Sequence, residues 1–267
     1  SAAISACEKG RQWELALGTF GTLLRRSLAP DTICYNATMS ACNRGLQWEQ
    51  ALRLFGDLCE RRLAPSAASF GAAVSACGHG AQWRGSLALL AQMKDSGLRP
   101  SLIIMNAVIS ACRRSRRLHL AVELLGEARR LRLEPDVVTY TAMITSCELD
   151  GHWEFALAQL DAIRSSGLRQ DVVACNAFLG VCREASQWQW AVAALDDMRR
   201  GGLRPTVPSY KMAVSSLAQS ARWALALELL SSSLRPGGPW DSSLPRDQED
   251  LLLLRALVAR ACLDASP

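Results

Sequence analysis

A proline returns every 35 residues along this chain. Pro30, Pro65, Pro100, Pro135 and Pro205 keep the spacing, and Gln170 fills the one slot without proline. Tryptophan follows a second lattice of the same period, at Trp13, Trp48, Trp83, Trp153, Trp188 and Trp223, with Leu118 in the missing slot. Cysteine follows a third, at Cys7, Cys42, Cys77, Cys112, Cys147 and Cys182. A strict period in this range is the signature of stacked supersecondary repeats, each packing mainly on its neighbours. Function is then expected along a surface of equivalent positions rather than in one catalytic pocket. Such a stack grows by addition, so the 267 residues need not divide into separate globular cores.

Residues 31–65 show what one repeat does. Asp31 follows Pro30 and is placed to cap a helix starting near Ile33. Small and apolar residues at Ile33, Tyr35, Ala37, Met39, Ala41 and Cys42 give that helix a buried side. Gly45 is read as its end, with Arg44 in the last turn, where positive charge is favoured. Trp48 opens a second helix, on which Ala51, Leu52, Leu54, Phe55 and Leu58 form an apolar stripe. Pro65 prevents its continuation. A small residue recurs at Ala16, Ala51, Ser86, Ala121, Ala156, Ala191 and Ala226, where the paired helices should approach most closely. No strand pattern is present. The expected fold is all-α: an α-solenoid superhelix of stacked antiparallel helix pairs. The array is expected over 1–241, with a partial repeat at 1–31 and full repeats at 32–66, 67–101, 102–136, 137–171 and 172–206. A degenerate repeat should follow at 207–241, because Pro208 enters its first helix. Residues 242–267 read as a turn-rich linker and a C-terminal capping helix. The chain opens at Ser1 inside a repeat, so upstream sequence is expected and no targeting segment is visible.

Composition narrows the function classes. Net charge is +5, with 27 Arg and 3 Lys, a mildly basic balance compatible with an anionic partner. The ten cysteines carry no C-x-x-C pair, and His79, His119 and His152 are scattered, so neither zinc nor another metal is expected. Cysteines 35 apart occupy the same place in successive repeats, about 8–10 Å from one another by helix packing, beyond disulfide reach. They are read as buried core thiols. The longest apolar run, Leu251 to Leu263, is too short to span a membrane and carries Arg255 and Arg260. No Gly-rich phosphate loop or nucleophile motif appears, so no enzyme, cofactor or small-molecule substrate is expected.

The repeat starts Cys34-Tyr35-Asn36-Ala37, Met105-Asn106-Ala107, Thr139-Tyr140-Thr141-Ala142 and Cys175-Asn176-Ala177 resemble those of the pentatricopeptide repeat family. So do the closes Gly97-Leu98-Arg99-Pro100 and Leu133-Glu134-Pro135-Asp136. The resemblance, to a P-type array of 35-residue repeats, covers residues 1 to about 235. The recurring Trp stands where Leu is more usual and is read as packing between repeats. The 34-residue tetratricopeptide pattern places Trp and Tyr early in the first helix, followed by Leu-Gly, which is not seen here. A tetratricopeptide-like protein-binding scaffold remains the alternative.

The resemblance implies single-stranded RNA as partner, read at one base per repeat. It further implies other RNA-processing proteins as partners and a role in organellar RNA processing, stabilisation, translation or editing, in a plastid (chloroplast) or mitochondrion. The fifth and last residues of a repeat would contact the base edge, and the second would clamp its face. Asn36 and Ser66, clamped by Ile33, resemble a pyrimidine reader. Asn106 and Asp136, with Ile103, resemble a uracil reader. Thr141 and Asp171, with Val138, resemble a guanine reader. Asn176 and Thr206, with Val173, lean toward a pyrimidine. Gly71 and Ser101, with Ala68, depart from the pattern, and that repeat is read as a spacer. Lys211 and Asp241, with Pro208, and Ser1 with Asp31, are not assigned. The polar residues Asp136 and Asp171 also precede helices, so N-capping is a second role open to them. Lys9, Arg44 and Arg114 occupy one column at the end of the first helix and are candidate phosphate contacts. Complementing the helix dipole there is the alternative.

Overall fold

The computed structural model describes residues 2–26, 29–148 and 150–233. The expected linker and capping helix at 242–267, and the close of the 207–241 repeat, lie outside the described residues. The chain divides between Pro135 and Asp136 into two compact units. In the first, antiparallel pairs run α1 (Ala2–Lys9) with α2 (Trp13–Arg25), α3 (Thr32–Arg44) with α4 (Trp48–Glu60), α5 (Ala67–His79) with α6 (Trp83–Asp95), and α7 (Leu102–Arg114) with α8 (Leu118–Arg130). In the second, α9 (Val137–Ser146) pairs with α10 (Trp153–Ser165), α11 (Val172–Glu184) with α12 (Trp188–Arg200), and α13 (Val207–Gln219) with α14 (Trp223–Ser233). There is no strand among the described residues.

Each unit is a two-layer stack. First helices lie side by side, α1 on α3 on α5 on α7, and α9 on α11 on α13. Each second helix packs against its own first helix and, within a unit, against the next one. The small-residue column fixes the pairing: Ala16, Ala51, Ser86, Ala121, Ala156, Ala191 and Ala226 are all fully buried. The cysteine column is buried from Cys42 to Cys182 and half-buried at Cys7, and the nine described cysteines are free thiols. Burial pushes Cys42 and Cys112 up to about 11, and Cys147 and Cys182 up to about 12. Pro208 falls in the first turn of α13, where a missing N–H is harmless, so the degenerate repeat still forms a full first helix.

The turn after α3 shows why glycine stands at 45. Gly45 ends α3 but has φ −86°, and the left-handed residue is Leu46, at φ 59°. Leu46 N–H donates to Asn43 O at 3.1 Å and Gln47 N–H to Cys42 O at 2.9 Å, a Schellman closure on the cysteine column. Left-handed residues recur at Arg11, Leu46, Ala81, Arg116, Gly151, Ser186 and Ala221. A second set, at Arg62, Gly97, Arg132, Gly167 and Gly202, closes the second helices. Glycine is placed at 45 for a different reason: a Cβ there would lie 2.3 Å from Trp13 Cδ1. Gly80 meets Trp48 in the same way, at 2.5 Å. The tryptophan lattice therefore works between repeats, as the sequence implied. Where the facing residue is Ser115 or Ser220, the indole is instead covered by a guanidinium: Arg117 lies 5.2 Å from the Trp83 centroid and Arg222 lies 5.4 Å from that of Trp188.

Candidate nucleic-acid interface

At the second residue of the first helix a branched aliphatic side chain stands exposed in four repeats. Ile33 is 63% exposed, Ile103 81%, Val138 63% and Val173 63%. Each lies in the opening turn of α3, α7, α9 or α11. Ile104 and Ala174, one residue further on, are buried. Leaving a branched aliphatic in water forgoes about 1.5–3 kcal/mol of burial. Four such side chains in one register form a repeated apolar contact point. In the 67–101 repeat the position is Ala68, exposed but small, and in the 207–241 repeat it is Pro208.

Three residues after each of these exposed side chains comes a half-buried polar one: Asn36, Asn106, Thr141 or Asn176. In the first unit, Asn36 Nδ2 donates to Ser66 Oγ at 3.2 Å, so that pair is brought together. Asn36 Oδ1 is buried without a partner. Ser66 also caps α5: its Oγ accepts from Ser69 N–H at 3.3 Å, and Ser69 Oγ accepts from Ser66 N–H at 3.1 Å. Asn106 is the fifth residue of α7. In the second unit, Asp136 caps α9, its Oδ1 accepting from Thr139 N–H at 2.8 Å and from the Thr139 hydroxyl at 2.7 Å. Thr141 donates its hydroxyl proton to Val137 O at 2.7 Å, and no hydrogen bond joins it to Asp171. Asp171 caps α11 through Ala174 N–H at 2.7 Å. Asn176 reaches Thr206 through a third residue: Ser209 Oγ donates to Asn176 Oδ1 at 2.6 Å and accepts from Thr206 N–H at 3.0 Å.

The repeat-closing column is thus an N-cap column throughout, from Asp31 through Ser66, Ser101, Asp136 and Asp171 to Thr206. Hydrogen bonding from Cys34 holds the Asp31 carboxyl below its ordinary value. Ser209 bridges Asn176 and the cap Thr206, while Ser69 bonds only the cap Ser66; both were missed in the sequence. Their signal was available in the Ser-x-x-Ser and Thr-x-x-Ser spacing of a capping box. Lys211 is exposed, while Ser1 and Asp241 lie outside the described residues.

The basic column is exposed but not idle. Arg44 Nη1 donates to Glu8 O at 3.3 Å and its Nη2 pairs with Glu8 Oε1 at 3.4 Å. Arg114 Nη1 donates to His79 O at 3.3 Å. Each arginine therefore covers a carbonyl near the end of the preceding first helix, the dipole-complementing geometry. Lys9 is exposed at the end of α1. Burial, and then Arg114, push His79 below its ordinary value and favour the neutral imidazole.

Residues 33–63 and 138–168 match the PPR repeat, residues 100–148 the PPR repeat family, and residues 160–216 the pentatricopeptide repeat domain, together more than half of the chain. The chain belongs to the pentatricopeptide repeat family. No curated protein matches it. Among solved structures it is similar to the pentatricopeptide repeat protein PPR10 from maize, at 23% identity over 98% of this chain and 38% of that one, with a TM-score of 0.69. It is also similar to PPR10 in complex with an 18-nucleotide psaJ RNA element, at 20% identity over 88% of this chain and 34% of that one, with a TM-score of 0.78. The PPR domain of Arabidopsis thaliana protein-only RNase P 1, in complex with tRNA, matches at 14% identity, TM-score 0.57, over 67% of this chain and 94% of that one. These likenesses establish the pentatricopeptide solenoid fold. The chain spans little more than a third of the PPR10 chains.

Proposed function

We propose that this chain binds single-stranded RNA with sequence selectivity through its repeats. The observation that carries the reading is the column of exposed aliphatic side chains at Ile33, Ile103, Val138 and Val173. Each stands one helical turn from a half-buried polar side chain. That pairing suits an unstacked base, whose face packs on the aliphatic group while its edge meets donors and acceptors. The likeness to PPR10 in its RNA complex supports the same reading. The activity proposed is binding without catalysis, with other RNA-processing proteins acting on the bound transcript. The setting is RNA processing, stabilisation, translation or editing in a plastid or mitochondrion, as the family resemblance implies.

Selection from a randomised single-stranded RNA pool at moderate salt tests this. The wild type should enrich a short motif with U followed by G. Thr141→Asn should shift that G toward U, since Asn already stands at the equivalent positions 36, 106 and 176. No motif, and no binding even at low salt, would overturn the reading and direct attention to protein partners.

A further inference from the structure

Within the first unit, the face formed by α1, α3 and α5 opens into a hollow of about 580 Å³, inside the size range of small-ligand sites. Its lining includes Asn43, Arg44, Ala68, Gly71, Ser75 and His79. The hollow has a local origin. Where the repeats at 32–66, 102–136, 137–171 and 172–206 carry Ile or Val, then Asn or Thr, the 67–101 repeat carries Ala68 and Gly71. The space is open rather than enforced by backbone, because a Cβ built at Gly71 would meet only the Ile104 side chain, at 3.8 Å.

Asn43 stands in the wall, nine-tenths buried. Its Nδ2 donates to Ala72 O at 2.8 Å, which fixes the orientation of the amide. That leaves Oδ1 buried with no hydrogen-bond partner. An orphaned buried acceptor is unfavourable, and a donor supplied by a ligand relieves it. Arg11 and Arg44 also line the hollow, with Glu8 as the single acid.

We propose that this hollow receives a purine base of the bound RNA, with the exocyclic amine donating to Asn43 Oδ1. The reading rests on the RNA function proposed above. It makes the 67–101 repeat a reader of a different kind rather than a spacer. The amine supplies the donor that Asn43 lacks. The larger ring system fits where clamp and reader have both shrunk, and the arginines face the backbone phosphate. The residue that reads the base then comes from the preceding repeat.

The test uses short pyrimidine RNAs carrying a single adenine at each position in turn, and the same RNAs with an abasic nucleotide there. Affinities are measured by fluorescence anisotropy for the wild type, Gly71→Asn and Asn43→Leu, with circular dichroism as the check on folding. In the wild type, one position should prefer adenine over the abasic nucleotide by about tenfold, the size of one buried hydrogen-bonded contact. Both variants should lose that preference while binding the all-pyrimidine parent no more weakly. Equal affinity for adenine and abasic RNAs at every position, or a preference that survives Gly71→Asn, overturns the purine site and leaves the RNA reading intact. Failure to bind any of these RNAs at low salt overturns both.

Discussion

Two glycine-to-alanine substitutions, eleven residues apart, should have opposite effects on stability. Gly56 is exposed in the interior of α4, and a Cβ built there meets nothing within 4 Å. Gly56→Ala therefore gains helix propensity and should stabilise by about 0.5–1 kcal/mol. Gly45 has φ −86° and ψ 6°, which alanine adopts without strain, so backbone freedom is not its purpose. A Cβ at Gly45 would sit 2.3 Å from Trp13 Cδ1, 2.5 Å from Cγ and 2.9 Å from Cβ. The last of these is close to the main chain and moves only if the indole is reseated. The chain itself carries the reseated alternative, since Ala185 occupies the equivalent position opposite Trp153, whose ring instead faces Trp190 at 5.6 Å. That bounds the overpacking cost of Gly45→Ala at about 1–3 kcal/mol. At roughly 2–4 °C per kcal/mol for a chain of this size, the two variants should separate on a thermal melt followed by circular dichroism. Trp13→Leu, the substitution that Leu118 represents in its own slot, should remove most of the Gly45→Ala penalty in a double-mutant cycle. The reasoning fails if Gly45→Ala is as stabilising as Gly56→Ala, or if its penalty is unchanged in the Trp13→Leu background.

Ala156→Leu should lower stability by about 1–3 kcal/mol through overpacking of a fully buried helix contact, read from urea unfolding; an unchanged midpoint contradicts the helix-pair geometry. Cys42, Cys112, Cys147 and Cys182 should resist a thiol reagent at pH 8 in the native state, while half-buried Cys7 and Cys59 react first. Because burial raises the four thiols from an ordinary 9.0 to about 11 or 12, only the unfolded chain ionises between those values, so stability should fall as pH rises past about 9. Stability that stays flat from pH 8 to 10 would contradict it. Arg44→Ala combined with Arg114→Ala should weaken RNA binding alike for all sequences and flatten its salt dependence, whereas a loss confined to one sequence refutes a phosphate role.

Much of the fold was legible because three residue types keep one period. The starts of α3 and α4 follow from Asp31 and Trp48, and the small-residue column is fully buried throughout. Gly45 was read as the end of α3, and it is; what the sequence did not show is that it also leaves room for an indole 32 residues earlier. Sequence spacing gives no sign of that distant contact. The second-residue positions were legible as a column, but their exposure was not, since Ile103 and Ile104 look alike in the sequence and only one is buried. The column of Ser, Thr and Asp could be read equally as caps or as base contacts. The structure shows the capping role directly, and the Asn36–Ser66 bond shows how one side chain serves its helix and a neighbour together.

The N-cap column sets a limit on how the array can be re-coded. Every repeat-closing residue from Asp31 to Thr206 is Asp, Ser or Thr, each starting a helix. Replacing such a residue with one that cannot cap costs about 0.5–2 kcal/mol of helix stability. The alphabet open to that position is therefore fixed before any base is considered: Ser, Thr, Asp and Asn are admissible, and long or apolar side chains are not. Variety must enter mainly at the fifth residue, where Asn, Gly and Thr already alternate within one helical frame. An array re-coded at the fifth residue should keep its melting temperature, and one re-coded freely at both positions should not.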